Sequence, residues 1–537
     1  MMPDLPLPPT DEHADPLFRD AESCAQWLAQ LQLTNLQLAH SLLLTQIDEL
    51  NRFPLRDQER SKLLELLRDT VHYVQGEYAK KLVAKPLPLD ENELIVFLSI
   101  VQLWQAMAQG YRRCLQSCLE GGKSPGKRGA FVCQRALQYG GLAIIEHLRT
   151  GYEIDARLWH QLHVLYAFAE KHGVQHREIE DPLNGATPGS SCHDSYVKTL
   201  LTCRARPAEL SRSQQALLEL WLAEWSGMVK IERSYIISKA DAQPLAVDLD
   251  GASGLQPAGS IEHRAGIRYL MMVPLSKLIR VKTVLLQQGQ SPKKVKLAGE
   301  CTADECIGLL TFLHQCWCED RHARFGAREP GSQTVQLCYT LEYICARASG
   351  KAREQDAKTS TAKRLARRKP PAPGRMLLDA PGKGMARNIP LETWRYENAS
   401  LLGAGLTRPG TDGGRMSRDQ LVALGEADSL QLGVTTWVGV ARNGQLRIGV
   451  RYLPGKVDAV GLHAPEPDQQ SPDKTASGLL LQAVPALNTP ASLIVPRNWL
   501  EPDGMLEIRR QDGETQHARM GFSVERGLDF ERISFSL

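Results

Sequence analysis

Trp394-Arg-Tyr-Glu-Asn398-Ala-Ser400-Leu-Leu-Gly403-Ala-Gly-Leu406 decides how the second half of this chain is read. On a strand, side chains alternate between faces, so Asn398 and Ser400 project to the same side. Gly403 and Gly405 follow, and a glycine permits a bend or the close approach of a bound molecule. A carboxamide, a hydroxyl and glycines on one surface can hydrogen-bond the edge of a planar heterocycle. A strand end followed by a polar turn would use the same residues, and the spacing Asn-x-Ser-x-x-Gly arises by chance at ordinary usage of Ser and Gly. The surrounding sequence has to arbitrate.

Beyond about Leu391 that sequence is β-like. Ser429 to Val440 and Gln445 to Leu453 flank Asn443-Gly444, the turn pair of a tight hairpin. Further strand-like runs are Gly478 to Val484, Ala491 to Pro496, Met505 to Arg510, His517 to Val524 and Phe530 to Leu537. Short strands punctuated by Gly, Pro, Asn and Asp predict a barrel or sandwich. Upstream, Lys351 to Arg375 holds nine Lys/Arg, two acidic residues and no aromatic, and includes Pro-Pro-Ala-Pro-Gly. Such a stretch buries too little apolar area to order itself and reads as a basic linker or exposed insertion. The first three hundred residues or so are helical in pattern. Leu158, Leu162, Leu165 and Ala169 mark one buried helix face, and Leu217, Leu218, Trp221, Leu222 and Trp225 another, with a start near Pro207 and Ser211. Thr302-Ala-Asp-Glu305 is a capping box ahead of Ile307 to Leu313. No fixed-period repeat is evident.

In this context the Asn398–Gly403 stretch resembles the PilZ domain, whose mark is [DN]-x-S-x-x-G leading into a β-barrel. Leu432-Gly-Val-Thr-Thr-Trp437 and Ile448-Gly-Val-Arg-Tyr-Leu453 are similar to the two strands that follow that motif. The resemblance covers the C-terminal part of the chain and leaves out the helical part. It implies a six-stranded barrel that binds the bacterial second messenger cyclic di-GMP, with Asn398 and Ser400 on a guanine and Gly403 at the turn. Asn398 stands where the family often has Asp; an amide offers one acceptor oxygen where a carboxylate offers two, so weaker binding is expected unless arginines compensate.

The family also uses an R-x-x-x-R pair before its first strand. A guanidinium can stack on a guanine face while donating to O6/N7 or to phosphate. The pattern occurs six times here, so position must choose. Arg321, Arg324 and Arg328 precede the better strand, Gln333 to Leu341, and are the favoured set; this makes the basic segment an insertion within the barrel. Arg364 and Arg368, in the basic segment, are the alternative pair.

Composition and the remaining motifs set limits. The 537 residues predict two or three domains, 42% hydrophobic and 23% charged residues describe a soluble globular chain, and a net charge of +3 favours no partner class. The acidic, Pro-rich start has no apolar h-region, and the longest apolar run, Leu94 to Trp104, is about half a membrane span and reads as a buried helix. Twelve cysteines without a signal predict reduced thiols and a cytoplasmic location. His314, Cys316, Cys318 and His322, with Cys301 and Cys306, lack zinc-knuckle spacing and read as helix residues, as do Cys114 and Cys118. Gly189-Ser-Ser-Cys192-His193 puts nucleophile and base side by side, where they seldom meet in reacting geometry. Asp248-Leu-Asp250-Gly is too short for a calcium loop, and Walker, Rossmann and HExxH patterns are absent. No catalytic residue, metal or cofactor is expected, and no enzyme.

The expected architecture is α+β multidomain: a disordered 1–20, an all-α region over 21–320, a first barrel strand with its arginines in 321–345, the basic linker over 346–390, the PilZ-like barrel core over 391–475 and a C-terminal β extension over 476–537. The expected function is a cyclic di-GMP receptor that couples the messenger to a protein partner through its helical region, in motility, pilus, exopolysaccharide or biofilm control. A PilZ-like scaffold without ligand is the alternative. Nucleic-acid binding through Lys351 to Arg375 is less favoured, because the cluster lacks interleaved aromatics.

Overall fold

The computed structural model describes residues 7–119, 125–184, 189–236, 241–319, 329–350, 352–356, 387–426, 429–464, 474–499 and 504–537. The chain divides into two compact units, Met1–Val83 with Asp90–Ala323 and Ala84–Leu89 with Arg324–Leu537.

The first unit is built on α1 (Ala21–Gln30), α2 (Leu36–Arg52), α3 (Asp57–Ala79), α4 (Glu91–Leu119), α5 (Gly126–Thr150), α6 (Ala156–Lys171), α7 (Cys192–Arg204), α8 (Arg212–Trp225), α9 (Val273–Gln287) and α10 (Ala303–Trp317). The apolar faces of α6 and α8 are buried as their spacing predicts, and Ser211 and Thr302 cap their helices in capping boxes with Gln214 and Glu305. The run Leu94–Trp104 lies in α4, which among the described residues is long and apolar enough to cross a membrane. Its Phe97, Ile100, Val101, Leu103 and Trp104 are buried, while Ile95 and Leu98 are exposed.

The unit is fastened by buried charges. Arg68 and Arg135 both reach Asp181, at 2.6 and 3.2 Å, and Arg135 also meets Glu65 at 3.0 Å. Burial raises the Asp181 carboxyl, but Arg135 and Arg68 outweigh it and hold the group below its usual range.

Two expectations fail here. Residues 7–20 are not loose: Phe18 is buried against Trp27 at 5.1 Å, Ala14 is buried, and Leu17 N–H donates to Gln46 Oε1 at 2.8 Å. A Pro-rich composition concealed these few apolar anchors. The helical region is also not purely helical. A pair of two-residue strands, β1 (Ile179–Glu180) and β2 (Gly189–Ser190), precedes a four-stranded sheet of β3 (Lys230–Glu232), β4 (Leu245–Asp248), β5 (Gln256–Pro257) and β6 (Ile267–Met271), ordered β3-β6-β4-β5. All four residues of β4 are buried, so the strand shows no alternation for a period-two reading to find.

The second unit holds two closed barrels. The first uses β8 (Thr334–Tyr339), β10 (Arg387–Ser400), β11 (Gly403–Pro409), β12 (Leu421–Leu424), β13 (Gln431–Val440) and β14 (Gln445–Tyr452), ordered β11-β14-β13-β12-β8-β10 and closed by β10 against β11. The short β7 (Glu329–Pro330) and the parallel β9 (Ala352–Asp356) add to β10. Thus part of the presumed linker is structured: α11 (Leu341–Ala348) follows β8, and β10 begins at Arg387. The Asn443-Gly444 turn joins β13 to β14, with Gly444 at φ 77°.

The stretch after 476 is not an extension of the first barrel. Together with β15 (Val457–Ala464), the strands β16 (Lys474–Leu481), β17 (Ser492–Pro496), β18 (Met505–Arg509), β19 (Thr515–Arg526) and β20 (Phe530–Ser536) close a second barrel, ordered β15-β16-β17-β20-β19-β18. Val460, Leu462, Leu480, Leu493, Leu506 and Ile533 fill it. Closure leaves neither barrel with an open edge to shield. A separate core joins the two: Leu421, Ala423, Leu432 and Val434 of the first meet Ala459, Leu479, Leu481, Ile494 and Phe530 of the second, with Leu341, Ile344 and Cys345 of α11 between.

Candidate functional site

The site is made by β10, β11, β14 and β13, and two β-bulges aim it. Residues directly paired across antiparallel strands share a face. Tyr396 pairs with Leu406, which is buried inside the first barrel, and Asn398 pairs with Gly405 on the opposite face; the register shifts between them. The extra residue is Glu397, so Glu392 and Trp394 point inward while Asn398 and Ser400 point outward. Simple alternation would have put Trp394 and Asn398 together. On β13 the register shifts likewise between Thr435 and Trp437. Thr435 is buried with Val450 inside, and Trp437 turns outward.

Two rows of paired residues therefore cross the outer face. One runs Asn398–Gly405–Gly449–Trp437 and the other Ser400–Gly403–Arg451–Val434. Three of the central positions are glycines, and each is confined. A Cβ on Gly405 would touch the Asn398 amide at 3.1 Å, one on Gly449 would collide with the Trp437 indole, and one on Gly403 would collide with the Val450 carbonyl. The glycines thus form a floor on which the Asn398 amide lies over Gly405 and the Trp437 indole over Gly449, with Ser400 and Arg451 alongside. Ser400 Oγ donates to Gly403 O at 3.1 Å, which fixes the turn beside the floor. Leu401 and Leu402, at the tip of that turn, are exposed.

Charge around the floor is balanced by ion pairs. Arg447 donates to both oxygens of Glu397 at 2.8 Å, and Arg451 pairs with Glu525 of β19. All four side chains are partly exposed, so these pairs hold weakly and can be exchanged for a stronger anion. Arg447 and Arg451 form one of the six R-x-x-x-R patterns, and Trp437, Gly449 and Arg451 lie in the two strands that resemble PilZ, but only the pairing of β14 with β11 and β13 brings them to the site.

Inside the barrel Glu392 is buried and binds four groups. Arg408 Nε lies 3.0 Å from its Oε2, too oblique for a hydrogen bond, while Tyr339 OH and Trp394 Nε1 donate at 3.1 Å and the Gly414 N–H at 2.6 Å. The Arg408 guanidinium stacks on the Trp394 ring at 4.8 Å.

The predicted arginines, Arg321, Arg324 and Arg328 and the alternative Arg364 and Arg368, lie outside the described residues. The strand that follows the first set lies close to the site: Glu329 pairs with Ala399 and Pro330 with Asn398, and β8 then pairs with Glu392 to Arg395. The other constellations are accounted for structurally. Cys301 and Cys306 are bonded to each other, a departure from uniformly reduced thiols, and the other described cysteines are not in disulfides. His314 bonds Ser276 and Glu319, and Cys316 and Cys318 are buried; His322 lies outside the described residues. Cys192 and His193 face different partners, the Ala130 and Val229 carbonyls. Among the described residues no cluster of His, Cys, Asp and Glu could hold a metal.

These features define a class: a helical module followed by two small barrels, the first carrying a glycine-floored polar face of the Asn-x-Ser-x-x-Gly type. Comparison agrees with that architecture. Residues 22–235 match the family model of the N-terminal domain of the cyclic-di-GMP receptor FimW, and residues 460–537 match that of the FimW C-terminal β-barrel domain. The chain is 23% identical over 559 aligned residues to the cyclic-di-GMP receptor FimW of Pseudomonas aeruginosa, covering 95% of this chain and 90% of that protein. No solved structure matches the chain. The two domain matches stop short of residues 391–459, where the resemblance to PilZ lies.

Proposed function

We propose that this chain is a cyclic di-GMP receptor and that its first barrel is PilZ-like, holding the dinucleotide on its outer face. The observation that carries this reading is the pair of glycine-lined rows, which bring Asn398 and Ser400 onto one outer face with Trp437 and Arg451. Asn398 and Ser400 bond a guanine edge, and Gly403 keeps the turn close. Arg321, Arg324 and Arg328 clasp the dianion from the segment entering β7; the pairing of Glu329 and Pro330 beside Asn398 supports this set over Arg364 and Arg368. The similarity to a curated cyclic-di-GMP receptor over nearly the whole chain supports the ligand. The chain acts as a cytoplasmic receptor, not a catalyst, and its helical unit engages a protein partner.

Calorimetric titration of the full chain with cyclic di-GMP tests the reading. Two hydrogen bonds to the ligand, each worth about 1 kcal/mol or more, predict that Asn398→Ala/Ser400→Ala weakens binding on the order of fiftyfold. Equal heats from wild type and double variant, or none from either, would sink it; absence of heat from both is the result a ligand-free scaffold gives.

A further inference from the structure

We infer that Arg451 is a further ligand-binding residue, held before binding by Glu525 of the second barrel, and that a phosphate of the bound dinucleotide displaces Glu525 from it. This rests on the reading that cyclic di-GMP occupies the Asn398 face.

The register places Arg451 between the site and the second barrel. On one side it pairs with Gly403, which pairs with Ser400, so no side chain stands between the Ser400 hydroxyl and the Arg451 strand. On the other side it pairs with Val434, a member of the core that joins the barrels. Its carboxylate partner, Glu525, sits at a register shift in β19, just before the hairpin tip that docks on the first barrel. At that tip Leu528 N–H donates to Asp419 O at 2.7 Å, and Asp529 accepts from Leu341 N–H of α11 at 2.8 Å.

The exchange is physically favourable. The Arg451–Glu525 pair is partly exposed and screened, so breaking it costs little. A phosphate presents geometry that a guanidinium binds through two parallel bonds. Glu525 does not lose all its compensation, because Arg532 stands opposite it on β20. Since ligand and Glu525 compete for one cation, binding loosens the β19 hairpin tip, and a looser tip favours binding by the same factor.

Titration of the full chain with cyclic di-GMP tests this on conservative surface variants. Glu525→Gln removes the competitor and is expected to tighten binding several-fold, whereas Arg451→Gln loses a charge-assisted bond and weakens it on the order of tenfold. In Arg451→Gln the Glu525→Gln change is expected to have no effect. In the wild type, ligand is expected to speed amide exchange across 522–528. Unchanged or weaker binding by Glu525→Gln overturns the inference, as does a gain that persists with Arg451→Gln, which would be general charge attraction. A wild type that binds no cyclic di-GMP overturns the receptor reading itself and this inference with it; a wild type that binds, with Glu525→Gln indistinguishable from it, overturns the inference alone.

Discussion

Glu392→Ala is expected to destabilise the first barrel by about 3–5 kcal/mol, the usual cost of leaving a buried charge without its partner. Glu392 and Arg408 are 2% and 1% exposed, so bulk solvent does not screen the stranded guanidinium. The change also strands the Tyr339 hydroxyl, the Trp394 indole N–H and the Gly414 amide, all of which Glu392 accepts from. Burial already pulls the Arg408 guanidinium below its usual range, with Glu392 opposing that pull. Glu392→Gln retains an acceptor while losing the charge and should fall between wild type and alanine. Urea unfolding followed by amide exchange in peptides covering β10 and β11 reports on this barrel separately from the helical unit. A loss under 1 kcal/mol for alanine would mean that Arg408 finds another partner.

Gly403→Ala is the second large effect, and it falls on both stability and binding. The new methyl would occupy the space of the Val450 carbonyl, a backbone atom that cannot swing aside. β11 and β14 must separate at Gly403–Arg451, which disturbs the Ser400 hydroxyl bond to Gly403 O and shifts Arg451. Overpacking of this kind costs about 1–3 kcal/mol, and displacing Ser400 and Arg451 is expected to weaken cyclic di-GMP binding on the order of tenfold. Gly461→Ala, in the second barrel, serves as control: its nearest neighbour atom would be 3.8 Å away, so both stability and binding should hold. Melting and titration of the two variants together separate the local clash from any general sensitivity of β-glycines.

Much of the fold was legible because it rests on local signals. The helix faces at Leu158–Ala169 and Leu217–Trp225, the capping boxes at Ser211 and Thr302, and the Asn443-Gly444 hairpin depend on residues within a turn or two of each other. What escaped depends on pairing at long range. The run from Gly478 to Leu537 looked like strands, but strand order alone reveals that it closes with β15 into its own barrel. β4, buried on both faces, carries no alternation.

The site divides the same way. Asn398, Ser400 and Gly403 were visible as a motif, and they do share the outer face. Gly405 opposite Asn398 could be guessed, but Gly449, Trp437 and Arg451 could not: they lie 44, 32 and 46 residues further along than Gly405 and meet it only through the registers of β11, β14 and β13. The bulges at Glu397 and Thr436 were equally hidden. Each moves a parity that sequence reads as constant, and they decide that Trp394 supports the barrel from within while Trp437 lies over the floor.

A crystal structure of the full chain bound to cyclic di-GMP measures the central claim most directly. The expected result is a guanine on the Asn398 face, with its edge within hydrogen-bond distance of Asn398 and Ser400 and a phosphate near an arginine. Ligand found on the helical unit or on the second barrel, with the Asn398 face empty, would contradict it.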